Sequence, residues 1–188
     1  MIAAFARVAV DVGAGDGHAS LLRARRDPAI FAIAIDPSVD RLRDGARAAL
    51  RQKLDNTLFV VSSIEALPRE LHARADEVSV SFPWGSLLSG IVRATSDVLD
   101  PLAHLAKIDA LVTMLLSVAP QDGRRTGLPT LDVAALAANA AAYRAAGFAI
   151  ERCALASRDE VIVSASSWAK RLGHDREVIA LMLRRVAA

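Results

Sequence analysis

Short, continuous apolar runs alternate along this chain with segments whose apolar positions recur at helical spacing. That alternation predicts a mostly parallel sheet with helices on both faces, an α/β fold. The run Arg7–Val12 reads as the first strand and ends at a glycine-rich turn; His18–Arg26 follows as a helix closed by Asp27-Pro28. Ile30–Ile35 is a second buried strand ending in Asp36-Pro37, succeeded by a helix from Val39 to Lys53 and a third strand over Leu58–Val61. Glu77–Phe82 gives the fourth strand and stops at Pro83-Trp84-Gly85. Helical spacing resumes over Leu87–Ile91 and Val98–Lys107, and Ala110–Val118 reads as the fifth strand. Thr130 is placed to cap an alanine-rich helix that ends near Gly147, and Phe148–Leu155 and Glu177–Arg184 are the last two strands. Between those two lies an insertion, 156–176, long enough to suggest a function of its own.

Composition narrows the class. The 188 residues suit one domain, 1–188, and no run approaches the roughly 20 apolar residues of a membrane span. The N-terminus has no secretory pattern, and a single Cys153 allows neither an internal disulfide nor a cysteine metal cluster, so the expected home is the cytoplasm. His18, His72, His104 and His174 show no ligand spacing, and no metal is expected. Net charge is only +2, yet Lys53, Lys107 and Lys170 are the only lysines among 23 basic residues, leaving 23 − 3 = 20 arginines. Coding bias explains such a lopsided count; so does a phosphate-binding face, because guanidinium grips phosphate bidentately.

Chemistry first shows at the turn after the first strand. Gly13, Gly15 and Gly17 let the backbone turn sharply and approach a ligand. Their spacing is Gly-x-Gly-x-Gly, and His18 stands where a dinucleotide fingerprint would continue, so the pyrophosphate-binding pattern is absent. With Asp11 and Asp16 supplying acids for an ammonium group, the loop suits S-adenosylmethionine. Asp36, at the end of the second strand, is placed to accept from both ribose hydroxyls, and Ile64 and Glu65 lie where an adenine ring would rest.

Trp84 and Trp168 both fall in loops at strand ends, in a chain with only 4% aromatic residues, which suggests a clamp for a planar acceptor. Here a resemblance becomes specific. Asp11-Val-Gly-Ala-Gly-Asp-Gly, Ile35-Asp36-Pro37, Glu65-Ala-Leu-Pro68, Phe82-Pro-Trp-Gly-Ser-Leu-Leu88, Gly127-Leu-Pro129 and Ser167-Trp-Ala-Lys-Arg-Leu172 occur in one order along nearly the whole chain. The sequence resembles the aminoglycoside-resistance 16S ribosomal RNA methyltransferases that modify N1 of adenine 1408. The resemblance implies a class I methyltransferase fold with a seven-stranded sheet and an RNA acceptor within the 30S subunit. It implies that Asp11, Asp36, Ile64, Glu65 and Ser86 hold the cofactor. It also implies that Trp84 and Trp168 stack on a flipped adenine, that the Pro83 carbonyl accepts from its amino group, that Ser166 supports the Trp168 loop, and that Arg171 touches phosphate.

For docking, Arg43, Arg47 and Arg51 recur along one helix face that Lys53 extends, and Arg124, Arg125, Lys170, Arg171 and Arg176 add charge near the expected site. Such charges position RNA without reading its sequence. The chain is expected to act as a monomer. The same two tryptophans also suit a methyltransferase for a small aromatic substrate, and the same loop suits a cofactor-binding homologue without rRNA activity. Family members carry a hairpin and helix before the first strand, and a lysine-rich linker before the third. Here the first strand opens at Arg7, 51–57 lacks that linker pattern and 173–178 is less basic than its family counterpart, so weaker RNA affinity is the expectation.

Overall fold

Seven strands form one sheet in the order β3-β2-β1-β4-β5-β7-β6. The structure, a computed structural model, describes residues 2–117, 127–128, 131–167 and 176–187. The strands are β1 (Arg7–Val12), β2 (Ile30–Asp36), β3 (Thr57–Val61), β4 (Ala75–Ser81), β5 (Ala106–Leu116), β6 (Phe148–Leu155) and β7 (Ile179–Arg185). The first five run parallel; β7 is antiparallel to both β5 and β6. All seven residues of β2 are buried, as are all of β1 after Arg7, because helices cover both faces of central parallel strands.

The helices are α1 (His18–Arg26), α2 (Val39–Arg51), α3 (Gly85–Arg93), α4 (Ser96–Leu105), α5 (Val133–Ala138), α6 (Ala140–Ala145) and α7 (Arg158–Val163). Each crossover returns the chain to the same sheet edge, so the turns after β1, β2, β3 and β4 converge there. Strand order reverses between β1 and β4, which opens a crevice beyond their carboxyl ends. The switch point positions the site.

Four details depart from the expected boundaries. β5 begins at Ala106, four residues before the apolar run, and its register with β4 shifts between Ala75 and Glu77. Thr130 lies outside the described residues; the cap observed is Asp132, whose side chain accepts from the Ala135 N–H at 2.7 Å. The alanine-rich helix is two pieces broken at Asn139, whose amide turns to donate to the Val92 carbonyl. The β6–β7 connection is also partly helical. Ser157 and Glu160 form a reciprocal cap that starts α7, satisfying two otherwise orphaned N–H groups.

Candidate active site

β1 delivers Asp11 to the switch point, beside Ala34 of β2 and Ser79 of β4. The chain then turns through Gly13, Gly15 and Gly17, all with left-handed φ. Gly17 also has a packing reason: a Cβ there would collide with the Phe59 ring. The Gly13 and Ala14 N–H groups donate to the Ile35 carbonyl at 2.8 and 2.9 Å. Asp36 completes the anchoring, accepting from Gly15 N–H at 2.8 Å on one oxygen and from Ser38 N–H at 2.9 Å on the other. The acid expected to hold a ribose is thus also the post on which the glycine loop hangs, with the second lone pair of each oxygen left for a ligand.

The opposite wall comes from the end of β4. Phe82 adopts φ 54, a left-handed conformation that normally costs a non-glycine residue about 1–2 kcal/mol. Burial of its ring against Leu115, Val178 and Ala180 offsets that strain. The turn buries Pro83 and carries Trp84 to the cleft rim, where it is 44% exposed and stands outside both core clusters. Trp84 is not a core residue. Ile64 is buried behind the cleft, and Glu65 and Ser86 meet across it. Partial burial opposes ionisation of Glu65, yet hydrogen bonds from Ser86, its own backbone and Ser63 hold its carboxyl below the ordinary value. Together these walls enclose about 490 Å³, open to the rim at Trp84, with Ser166 and Ser167 of the β6–β7 connection closing one side.

The family model for NpmA, 16S rRNA (adenine(1408)-N(1))-methyltransferase, matches residues 1–187. An Escherichia coli 16S rRNA (adenine(1408)-N(1))-methyltransferase is 33% identical over 94% of this chain and 85% of its own length. The Streptoalloteichus hindustanus enzyme of the same name is 31% identical over 90% and 82%. Among solved structures, a mutant of the Catenulisporales acidiphilia enzyme with cosubstrate SAM has a TM-score of 0.88 at 30% identity, covering 99% of this chain and 88% of that one. The antibiotic-resistance methyltransferase Kmr has a TM-score of 0.83 at 33% identity, covering 100% and 90%. The chain belongs to the NpmA family.

For an NpmA-family enzyme the methyl donor is S-adenosylmethionine, and the donor set fits it. The cleft volume falls within the roughly 300–1,000 Å³ of small-molecule sites. Asp11 and Asp36 are buried acids aimed at the cleft, suited to an amino group and to ribose hydroxyls. Burial raises Asp11 from 3.8 to about 6; the Ser79 hydroxyl, donating at 3.1 Å, and the Arg23 charge pull it down, while Asp16 and Asp36 push it up. In the free protein a raised carboxyl favours the protonated form, so this group adds stability as pH falls from 6 towards 3.8. A cationic ligand wants the carboxylate, so cofactor affinity runs the other way. Its dissociation constant is expected to be flat above pH 7 and to rise as pH drops through about 6, and Asp11→Asn should remove that dependence. Titration calorimetry with S-adenosylhomocysteine between pH 5 and 8 checks it.

The docking residues divide. Arg47, Arg51 and Lys53 are exposed, and none has an ion pair among the described residues, whereas Arg43 is paired with Asp40 at 3.1 Å. α2 runs away from the cleft. Arg41 lines its mouth, while Arg47 and Arg51 lie about 9 and 15 Å further along the axis. Arg176 is half-buried before β7. Trp168, Lys170, Arg171, Arg124 and Arg125 lie outside the described residues. Among the described residues no three metal-ligating side chains gather, and no helix is long and apolar enough to cross a membrane. Ser38, Arg41, Ser63, Phe82 and Ser167 also line the cleft, none of them a site residue expected from the sequence.

Proposed function

We propose that this chain transfers a methyl group from S-adenosylmethionine to N1 of adenine 1408 of 16S rRNA, and so confers aminoglycoside resistance. It does so as a one-domain monomer acting on the 30S subunit in the cytoplasm. The observation that carries this reading is the exposed Trp84 at the rim of an acid-lined cleft, held there by the strained, buried Phe82. The named relatives support the acceptor.

Bound in the cleft, S-adenosylmethionine supplies a sulfonium methyl group, which the adenine N1 lone pair takes without prior loss of a proton. The protein's task is therefore alignment rather than base catalysis. Asp36 fixes the ribose and Asp11 the amino group, while Ile64, Glu65 and Ser86 bound the adenine and methionine ends. Extracting the target base from its helix costs a few kcal/mol. Trp84, with Trp168 on the other face, returns about 1–3 kcal/mol per stacked base. An indole face also favours the cationic 1-methyladenine by about 0.5–2 kcal/mol. The Pro83 carbonyl accepts from the adenine amino group, and Ser166 steadies the connection that carries Trp168. Arg47, Arg51, Lys53, Arg124, Arg125, Lys170, Arg171 and Arg176 supply phosphate contacts.

Isolated 30S subunits incubated with labelled cofactor provide the test. N1 methylation blocks Watson–Crick pairing, so reverse transcription should stop opposite adenine 1408. Cofactor binding without label transfer to 30S would overturn the reading.

A further inference from the structure

Three distant parts of the chain meet at Asp16. Its carbonyl oxygen packs so closely on α2 that a Cβ at Gly45 would collide with it. One carboxylate oxygen accepts from the His18 N–H that opens α1, at 3.0 Å. The other accepts from the Ser167 hydroxyl at 2.7 Å, across 151 positions of sequence. Like Asp36, Asp16 holds the cofactor loop through both oxygens while lining the cleft, with a second lone pair on each oxygen left for a ligand.

Ser167 belongs to the β6–β7 connection, which is also tied to the acceptor wall. The Ala156 N–H donates to the Val178 carbonyl at 2.8 Å, and Val161 packs on the cluster of Phe82, Leu115, Val178 and Ala180. Phe82 in turn sets the course of Pro83 and Trp84. After α7 the chain tightens through Ala165, at φ 54, and the Ser164 hydroxyl accepts from Ser166 N–H at 3.4 Å. Within 156–167, Val161 thus bears on the cluster that holds Phe82, and Ser167 on the glycine loop.

We infer that Ser167 is a positioning residue whose hydrogen bond to Asp16 couples occupancy of the cofactor loop to order in residues 156–167. The inference rests on the proposed cofactor and acceptor sides of the cleft. A hydroxyl bonded to a carboxylate is among the stronger hydrogen bonds. Coupling is reciprocal, so order imposed from the acceptor side tightens cofactor binding by the same factor.

Hydrogen exchange on the full chain tests this without reference to the acceptor. Saturating S-adenosylhomocysteine should slow exchange over 156–167 in the wild type, not in Ser167→Ala, and again in Ser167→Thr, which keeps the hydroxyl. At saturating cofactor, single-turnover methylation of 30S subunits should fall at least about tenfold in Ser167→Ala, with S-adenosylhomocysteine affinity changed less than about threefold. Equal slowing in Ser167→Ala would overturn the coupling. So would a matching loss of affinity and rate, which would make Ser167 simply a wall of the cofactor cleft. If the wild type methylates no 30S subunit, the acceptor reading fails while the exchange comparison still decides the coupling.

Discussion

Trp84→Ala is expected to reduce methylation of 30S subunits by about a hundredfold, the equivalent of one lost base stack plus its cation-facing contribution. Cofactor affinity should move less than about threefold, because the acids proposed to hold the cofactor, Asp11 and Asp36, lie on β1 and β2 and owe nothing to the indole. Folding should survive for a separate reason. The ring is 44% exposed and belongs to neither core cluster, and Trp84 begins α3 without a side-chain cap that alanine would remove. The paired measurements are single-turnover methylation at saturating cofactor and calorimetric affinity for S-adenosylhomocysteine. An unfolded variant, or one that loses cofactor and rate together, would make Trp84 a structural residue. A rate near wild type would remove it from the acceptor site.

That experiment probes a feature the sequence showed only in outline. The strands were legible because β1 and β2 are buried on both faces, which demands unbroken apolar runs. The glycine loop and Asp36 were legible because positive φ and a strand-end acid leave local signatures. Phe82 was not: an aromatic in left-handed conformation has no sequence mark, since what holds it there is packing by Leu115 of β5 and Ala180 of β7. Gly45 reads as a flaw in a helix until the Asp16 carbonyl is found against it. α7 had a readable start in Ser157-Arg158-Asp159-Glu160, a capping box, but none of its six residues is fully buried, so it lacks a periodic stripe. The Ser167–Asp16 bond joins residues too far apart in sequence for any pattern to relate them.

Asp36→Asn should separate the two tasks of Asp36, and its expected effect falls on the cofactor. The substitution keeps shape and volume, yet one oxygen becomes an NH2 group. In this structure both oxygens already accept, one from Gly15 N–H and one from Ser38 N–H, so either orientation of the amide sets a donor against a donor. If the amide faces Gly15, the glycine loop loses its post at β2; if it faces Ser38, the entry to α2 loosens and the ribose still meets a neutral acceptor. Either way a charge-assisted hydrogen bond to a buried group is lost, worth about 1.5–3 kcal/mol. An unpaired donor remains beside it, and cofactor affinity should fall by about a hundredfold. Trp84 stays in place, since its wall is built from β4, β5 and β7, so 30S binding should be nearly unchanged. Calorimetry and a 30S pelleting assay on the same preparation check both halves. Tight cofactor binding by Asp36→Asn would mean that the loop's remaining bonds to the Ile35 carbonyl suffice to hold it, and would strip Asp36 of its part in the site.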